Sequence, residues 1–214
     1  MRCQRTVLQA LAAALAFSAC ATLAWAGPSG GRATQTELSL ALGCQVFNEV
    51  SPAIPEAMID APVTIALTYR LTRVWGIEGE FTWIQPIEQT IEIAGSGEVD
   101  KKTPNIMSYQ VSVLAMLPLA DSAWSPFLVA GAGAITFLSN ENADRQPQLV
   151  DSQTMPAINL GIGTTYQISP HWAIRADVRE YAAFPADDAE GFSAGSESDP
   201  IWMERGSIGA VYRF

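Results

Sequence analysis

Two short groups of charges stand among apolar neighbours: Glu78 and Glu80, two positions apart, and Arg175, Asp177 and Arg179 at the same spacing, with Arg70 as a separate cation. A spacing of two puts every member of a group on one face of a β-strand. Carboxylates and guanidiniums make the strongest fixed ion pairs, because the planar fork of an arginine offers several N–H donors to one or two carboxylates. The chemistry on offer is an ionic cross-link or a charged path for ions. Other reactive types are sparse. The single histidine, His171, lies in Ser169-Pro170-His171-Trp172, which reads as a tight turn, and a turn residue fits it better than a general base. No Gly-x-Ser-x-Gly elbow, Walker loop or His-Glu-x-x-His occurs, and Gly131-Ala132-Gly133 reads as strand packing. Cys44 has no neighbours that would ligate a metal with it and reads as a small apolar strand residue. No catalytic residue, cofactor or metal site is therefore expected.

The elements that position these charges come after an export segment. Residues 1–5 carry two arginines and no acid, residues 6–23 are rich in alanine and leucine, and Ala24-Trp25-Ala26 closes the run with small residues. Residues 1–26 are thus expected to be a cleaved secretory signal peptide, followed by a short extension at 27–35. A second reading takes Phe17-Ser18-Ala19-Cys20 as a lipoprotein box with lipidation at Cys20. Cleavage after Ala26 leaves Cys44 as the one mature cysteine, which excludes an intramolecular disulfide. Of 12 basic residues, Arg2 and Arg5 leave with the signal, so ten face 22 acidic ones and the mature charge is −12. Such acidity argues against nucleic acid as a partner.

From residue 36 onward the apolar pattern has period two, not 3.6. Leu38, Leu40 and Leu42 alternate with Glu37, Ser39 and Ala41; Ile65, Leu67 and Tyr69 alternate with Thr64, Ala66 and Thr68. Ile77, Phe81 and Trp83 face away from Glu78, Glu80 and Thr82, and Trp172, Ile174 and Val178 face away from Arg175, Asp177 and Arg179. Eight such runs are expected between residues 36 and 214, with prolines bounding them and not interrupting their middles. The connections alternate long and short, and the polar stretch 85–105 reads as one of the long loops. An all-β, eight-stranded antiparallel up-and-down transmembrane β-barrel over 36–214 accounts for this count and this alternation. In a membrane barrel the apolar rows face lipid and the polar rows face inward. Aromatics on the apolar rows bunch at strand ends, with Tyr69, Trp75, Phe127, Tyr166, Trp172, Tyr212 and Phe214 near short turns or the C-terminus and Phe81, Trp83, Tyr109, Phe137 and Trp202 near long loops, as interfacial girdles do. The runs at 75–83 and 172–179 are opposite in an eight-strand cylinder. Their charges, with Arg70, are expected to meet across the lumen as a plug, so that charged and polar side chains fill the interior.

The ending Ser207-Ile208-Gly209-Ala210-Val211-Tyr212-Arg213-Phe214 resembles the C-terminal sorting signal of bacterial outer-membrane barrels, with Ser207, Gly209, Tyr212 and Phe214 at its characteristic positions. The stretches S-P-F-L-V-A-G-A-G-A-I-T-F and W-A-I-R-A-D-V-R-E-Y look like the glycine-rich fifth and arginine-bearing seventh strands of the small eight-stranded outer-membrane proteins, the broad family of the outer membrane protein A barrel and its porin-like relatives. The resemblance implies residence in the cell outer membrane after export through the periplasm, a monomer, contact with outer-membrane lipid and lipopolysaccharide, and delivery to the barrel-assembly machinery through the C-terminal strand. It implies a structural, adhesive or tethering role without enzymatic activity; a chain that ends at the barrel puts wall anchoring in doubt. The alternatives are a narrow pore for small solutes or ions, and a soluble secreted β-barrel holding an apolar ligand. A lipid-modifying enzyme is weakened by His171, expected on the periplasmic side. Asp187, Asp188, Glu190, Glu197 and Asp199 read as a solvated loop, or as carboxylates bridged to lipopolysaccharide by divalent cations.

Overall fold

The structure is a computed structural model and describes residues 35–47, 59–93, 97–119, 122–140, 149–186 and 200–214, with backbone alone at 89–93 and 97–101. The expected signal peptide and the acidic stretch 187–199 lie outside these residues. Ten strands follow one another: β1 (Gln35–Phe47), β2 (Ile59–Arg70), β3 (Trp75–Pro86), β4 (Gln89–Ile93), β5 (Gly97–Lys101), β6 (Ile106–Met116), β7 (Trp124–Phe137), β8 (Gln153–Gln167), β9 (Trp172–Ala183) and β10 (Ile201–Arg213). Eight of them close into one antiparallel barrel in the order β1-β10-β9-β8-β7-β6-β3-β2, and β4 and β5 form a separate hairpin. That hairpin corrects the reading of 85–105 as plain loop: Gln89, Ile91 and Ile93 alternate with Thr90 and Glu92, but over too few residues to stand out from a polar stretch. No helix among the described residues is long and apolar enough to cross a membrane.

Closure is made by β1 and β10, which pair from Glu37 opposite Arg213 to Phe47 opposite Met203. The short connections 71–74, 117–123 and 168–171 lie at the end of the barrel that also holds Gln35 and Phe214, and every long connection leaves from the other end. Prolines enter the strands but stay out of their middles: Pro126 is the third residue of β7, and Pro62 and Pro156 are the fourth of β2 and β8. Pro62 has no N–H to donate, and the β1–β2 ladder breaks where it sits: pairing stops at Leu42 opposite Val63 and resumes at Gln45 opposite Asp60.

The outer surface is apolar. Leu40 is 59% exposed, Ile162 62% and Ile208 62%, within a continuous belt of Leu, Ile and Val. A soluble barrel would present that belt to water, so the arrangement is that of a membrane barrel. Aromatic pairs bracket the belt: Trp124 with Tyr166 (centroids 4.8 Å apart), Trp172 with Tyr212 (5.0 Å) and Tyr212 with Phe214 (5.1 Å) near the short turns, and Phe81 with Tyr109 (5.4 Å) near the long loops. Phe127 and Phe137 do not join these girdles. Both point inward and are buried, because β7 turns the row Phe127, Val129, Gly131, Gly133, Ile135 and Phe137 to the lumen and its alanines to the outside.

The two inward glycines of β7 let its neighbours meet over it. Ser112 of β6 donates to Asn159 Oδ1 of β8 (3.3 Å), and Asn159 Nδ2 donates back to Gln110 Oε1 of β6 (3.0 Å). A Cβ on Gly131 would run into the Ser112 hydroxyl and the Val111 carbonyl, and one on Gly133 into the Tyr109 carbonyl. Gly131→Val is expected to break this bridge and lower barrel stability by about 1–3 kcal/mol through overpacking. Urea unfolding of vesicle-embedded protein, followed by tryptophan fluorescence, measures it; an unchanged midpoint would show that the close approach is dispensable.

Candidate functional site

The inward row of β3 carries Glu78, Glu80 and Thr82, that of β9 carries Arg175, Asp177, Arg179 and Tyr181, and that of β10 carries Arg205 and Ser207. β3 and β9 lie opposite each other in the closed strand order, so their long side chains span the lumen. Glu78 is wholly buried. It holds Arg175 through both η nitrogens, one contact at Oε2 and the other at Oε1 (3.2 Å), and it accepts Arg179 Nη2 at 2.7 Å and the Thr68 hydroxyl at 2.7 Å. Glu80 is gripped by both η nitrogens of Arg205 at 2.9 Å each, pairs with Arg179 Nη1 at 3.2 Å and accepts the Tyr181 hydroxyl at 3.1 Å. Asp177 takes Arg175 Nε at 2.9 Å, Arg179 Nε at 3.3 Å and the Ser207 hydroxyl at 3.1 Å. Three carboxylates and three guanidiniums thus form one neutral, cross-bonded layer.

Five of the six expected cluster residues, Glu78, Glu80, Arg175, Asp177 and Arg179, meet in this layer. Arg70 does not. It is the last residue of β2, one turn of the pleat below Thr68, and pairs instead with Glu37 at the mouth on the short-turn side (2.8 Å), where Glu37 also receives Arg213 (2.7 Å). Sequence reading misses Arg205, Thr68 and Tyr181. The available signal is parity: Arg205 shares the row of Ser207 and Gly209, and Tyr181 that of Arg175 and Arg179. Of the four C-terminal residues singled out, Ser207 points inward to Asp177, Gly209 lies where a Cβ would strike Leu40 and Ala41, and Tyr212 and Phe214 face outward in the girdle. His171 sits in its turn with Nδ1 3.1 Å from the Arg213 carbonyl oxygen, and Cys44 is exposed on the outer row of β1. Among the described residues no group of three or more His, Cys, Asp and Glu could hold a metal.

Charged and polar groups do not fill the whole interior, which corrects that expectation. Toward the long loops the ionic layer is covered by a buried apolar cluster containing Phe47, Ile84, Phe137, Leu149 and Met203, and toward the short turns Leu114, Met116, Phe127 and Val129 of β6 and β7 form a second apolar cluster along one wall. Aromatic rings face the layer from both sides: the Arg175 guanidinium lies 4.5 Å from the Phe127 centroid and that of Arg205 5.0 Å from Tyr181. Cations over ring faces gain most when desolvated, as here. Beside the layer, where β1, β2 and β10 contribute only Ser39, Ala41, Thr64, Ala66, Ser207 and Gly209, a gap of about 10 Å³ remains, room for a single water.

Comparison with known proteins agrees with this architecture. A family model described as "Outer membrane protein beta-barrel domain" matches residues 10–214. Neisserial surface protein A superposes with a TM-score of 0.56 at 15% identity, covering 87% of this chain and 100% of that one. The N-terminal β-barrel domain of Pseudomonas aeruginosa OprF gives 0.53 at 13% identity over 86% and 100%, and a major outer membrane protein from Thermus thermophilus gives 0.53 at 14% over 84% and 99%. At these identities the likeness is one of fold. No curated protein matches the sequence.

Removing one partner from such a layer leaves a charge buried without compensation. Arg205→Ala is expected to destabilise the barrel by about 3–5 kcal/mol, and the double replacement Glu80→Gln with Arg205→Met by less than Arg205→Ala alone. Urea titrations of the two variants in vesicles test this, and a double variant that loses more than Arg205→Ala, as additive losses require, would mean the pair is not coupled.

Proposed function

Because the chain belongs to the outer membrane protein beta-barrel domain family and resides in the cell outer membrane, we propose that it is a non-enzymatic barrel with a structural or surface-interaction role, closed to solutes by its own side chains. One observation carries this reading: the acceptors of Glu78, Glu80 and Asp177 are taken by arginines and hydroxyls, and an apolar cluster covers the layer toward the long loops. A conducting path would need charged or polar groups free to exchange partners with a passing ion. Here each guanidinium that moved would leave a buried carboxylate behind. An eight-strand barrel is only wide enough for its own side chains to fill it. What distinguishes the protein to a partner is then its external connections and the β4–β5 hairpin they carry, while lipid and lipopolysaccharide surround the apolar belt as a monomer's outer wall.

The closing strand has a second part in this proposal. Tyr212 and Phe214 lie outward at the periplasmic end, packed on each other and on Trp172, where the barrel-assembly machinery would meet the strand. The residues are read as an assembly signal as well as girdle members.

Two measurements follow. In planar bilayers the purified protein is expected to give no stable unitary conductance; reproducible steps that change size in Arg175→Ala would establish the narrow pore instead. Tyr212→Ser with Phe214→Ser is expected to deplete the folded, heat-modifiable form from outer-membrane fractions severalfold while the interior ion pairs stay intact. Normal assembly of that double variant would remove the signal role.

A further inference from the structure

Inside the barrel, arginines and carboxylates match one for one, but at the periplasmic mouth they do not. Arg70 Nε (2.8 Å) and Arg213 Nε (2.7 Å) converge on the same oxygen, Glu37 Oε1. No other hydrogen bond or ion pair to either guanidinium exists among the described residues, and neither is paired with the carboxyl group of Phe214, so the η nitrogens of both are unengaged. They are not sealed off: the side chains of Arg70 and Arg213 keep 17% and 10% of their surface. The next turn adds Arg73, exposed, and of the three short connections only 117–123 contains an acid, Asp121. Among the described residues two guanidiniums thus share one carboxylate oxygen, and their η nitrogens are left for a further acceptor. Its level is set by Tyr69, Trp172 and Tyr212, the aromatics of the periplasmic girdle, which is the level of lipid headgroups.

The geometry points to a binding site for a phosphate group between Arg70 and Arg213, on the open side of Glu37. A tetrahedral oxyanion can accept from both guanidinium forks at once, as arginine pairs commonly do for phosphate. The phosphate belongs either to an anionic lipid headgroup of the inner leaflet or to a free phosphate in the periplasm; the chemistry at the two arginines is the same.

The test uses the full folded protein in phosphate-free alkyl maltoside micelles, with the Nε–Hε resonances of Arg70 and Arg213 followed by NMR while inorganic phosphate is added at constant ionic strength. Both resonances are expected to shift and saturate, with affinity roughly tenfold lower in Arg70→Gln or Arg213→Gln, about the contribution of one charge-assisted hydrogen-bonded fork. Should those variants fail to fold, Glu37→Gln decides: removing the competing carboxylate is expected to tighten phosphate binding severalfold, which a purely structural triad would not do. If phosphatidylglycerol doped into the micelles reproduces the shifts without inorganic phosphate, the headgroup is supported as the source; if only inorganic phosphate does, the free anion is. A shift that stays linear and is equal in wild type and the arginine variants, or a Glu37→Gln protein that binds no tighter, overturns the site.

Discussion

A main-chain N–H or C=O left unpaired in hydrocarbon has no water to turn to, and each such group costs several kcal/mol. Strands can meet that constraint only by closing on themselves. The pairing of β1 with β10 is therefore the condition under which the other seven strand pairs become tenable in a membrane. It dictates an even strand number when every connection is a hairpin, and with it connections that alternate between the two ends of the barrel. The break in the β1–β2 ladder at Pro62 is tolerated because it removes a local stretch of pairing while the register on either side is kept.

Closure also creates an interior too narrow for bulk water and too polar along its strands to be left dry. Small barrels must fill that space with side chains. Here the filling is stratified. Arginine reaches the centre from β9 and β10 because its long stem spans the lumen and its fork can serve two carboxylates, and the apolar cluster toward the long loops shields the ion pairs on that side. Low local dielectric strengthens satisfied pairs and penalises broken ones, so the layer ties β3 to β9 and β10 across the barrel in one arrangement. Gly131 and Gly133 complement it on the opposite wall by making room for the Ser112–Asn159–Gln110 chain.

Much of this is legible in the sequence because one face of each strand meets lipid and the other does not. Where the two rows differ in polarity, as at Glu78 and Glu80 against Phe81 and Trp83, period-two alternation assigns the faces directly. β7 defeats that logic: Phe127, Val129 and Ile135 occupy one row and Leu128 and the alanines the other, both apolar, so polarity carries no facing information and size alone sends the larger residues to the wrong side. Arg205 escapes because Glu204, on the outer row beside it, breaks the polar-against-apolar alternation that would mark the inward row. Parity puts Arg70 in the right row but not at the right height; sequence gives the face of a residue more surely than its depth along the barrel. The apolar cap is invisible for a further reason, since Leu149 reaches it from outside the named strands and Phe47 and Met203 come from opposite ends of the chain.

The bond between Glu37 and Arg213 joins residues 176 positions apart. Contacts that distant in the chain are slow to form, because the intervening segment must lose its freedom before they contribute. β1 consequently keeps a bare edge through the arrival of every intermediate strand, and hairpins formed early gain no closed wall until residues 201–213 are in hand. The chain is thus committed late: its final strand sets the moment at which a vulnerable open sheet becomes a finished barrel.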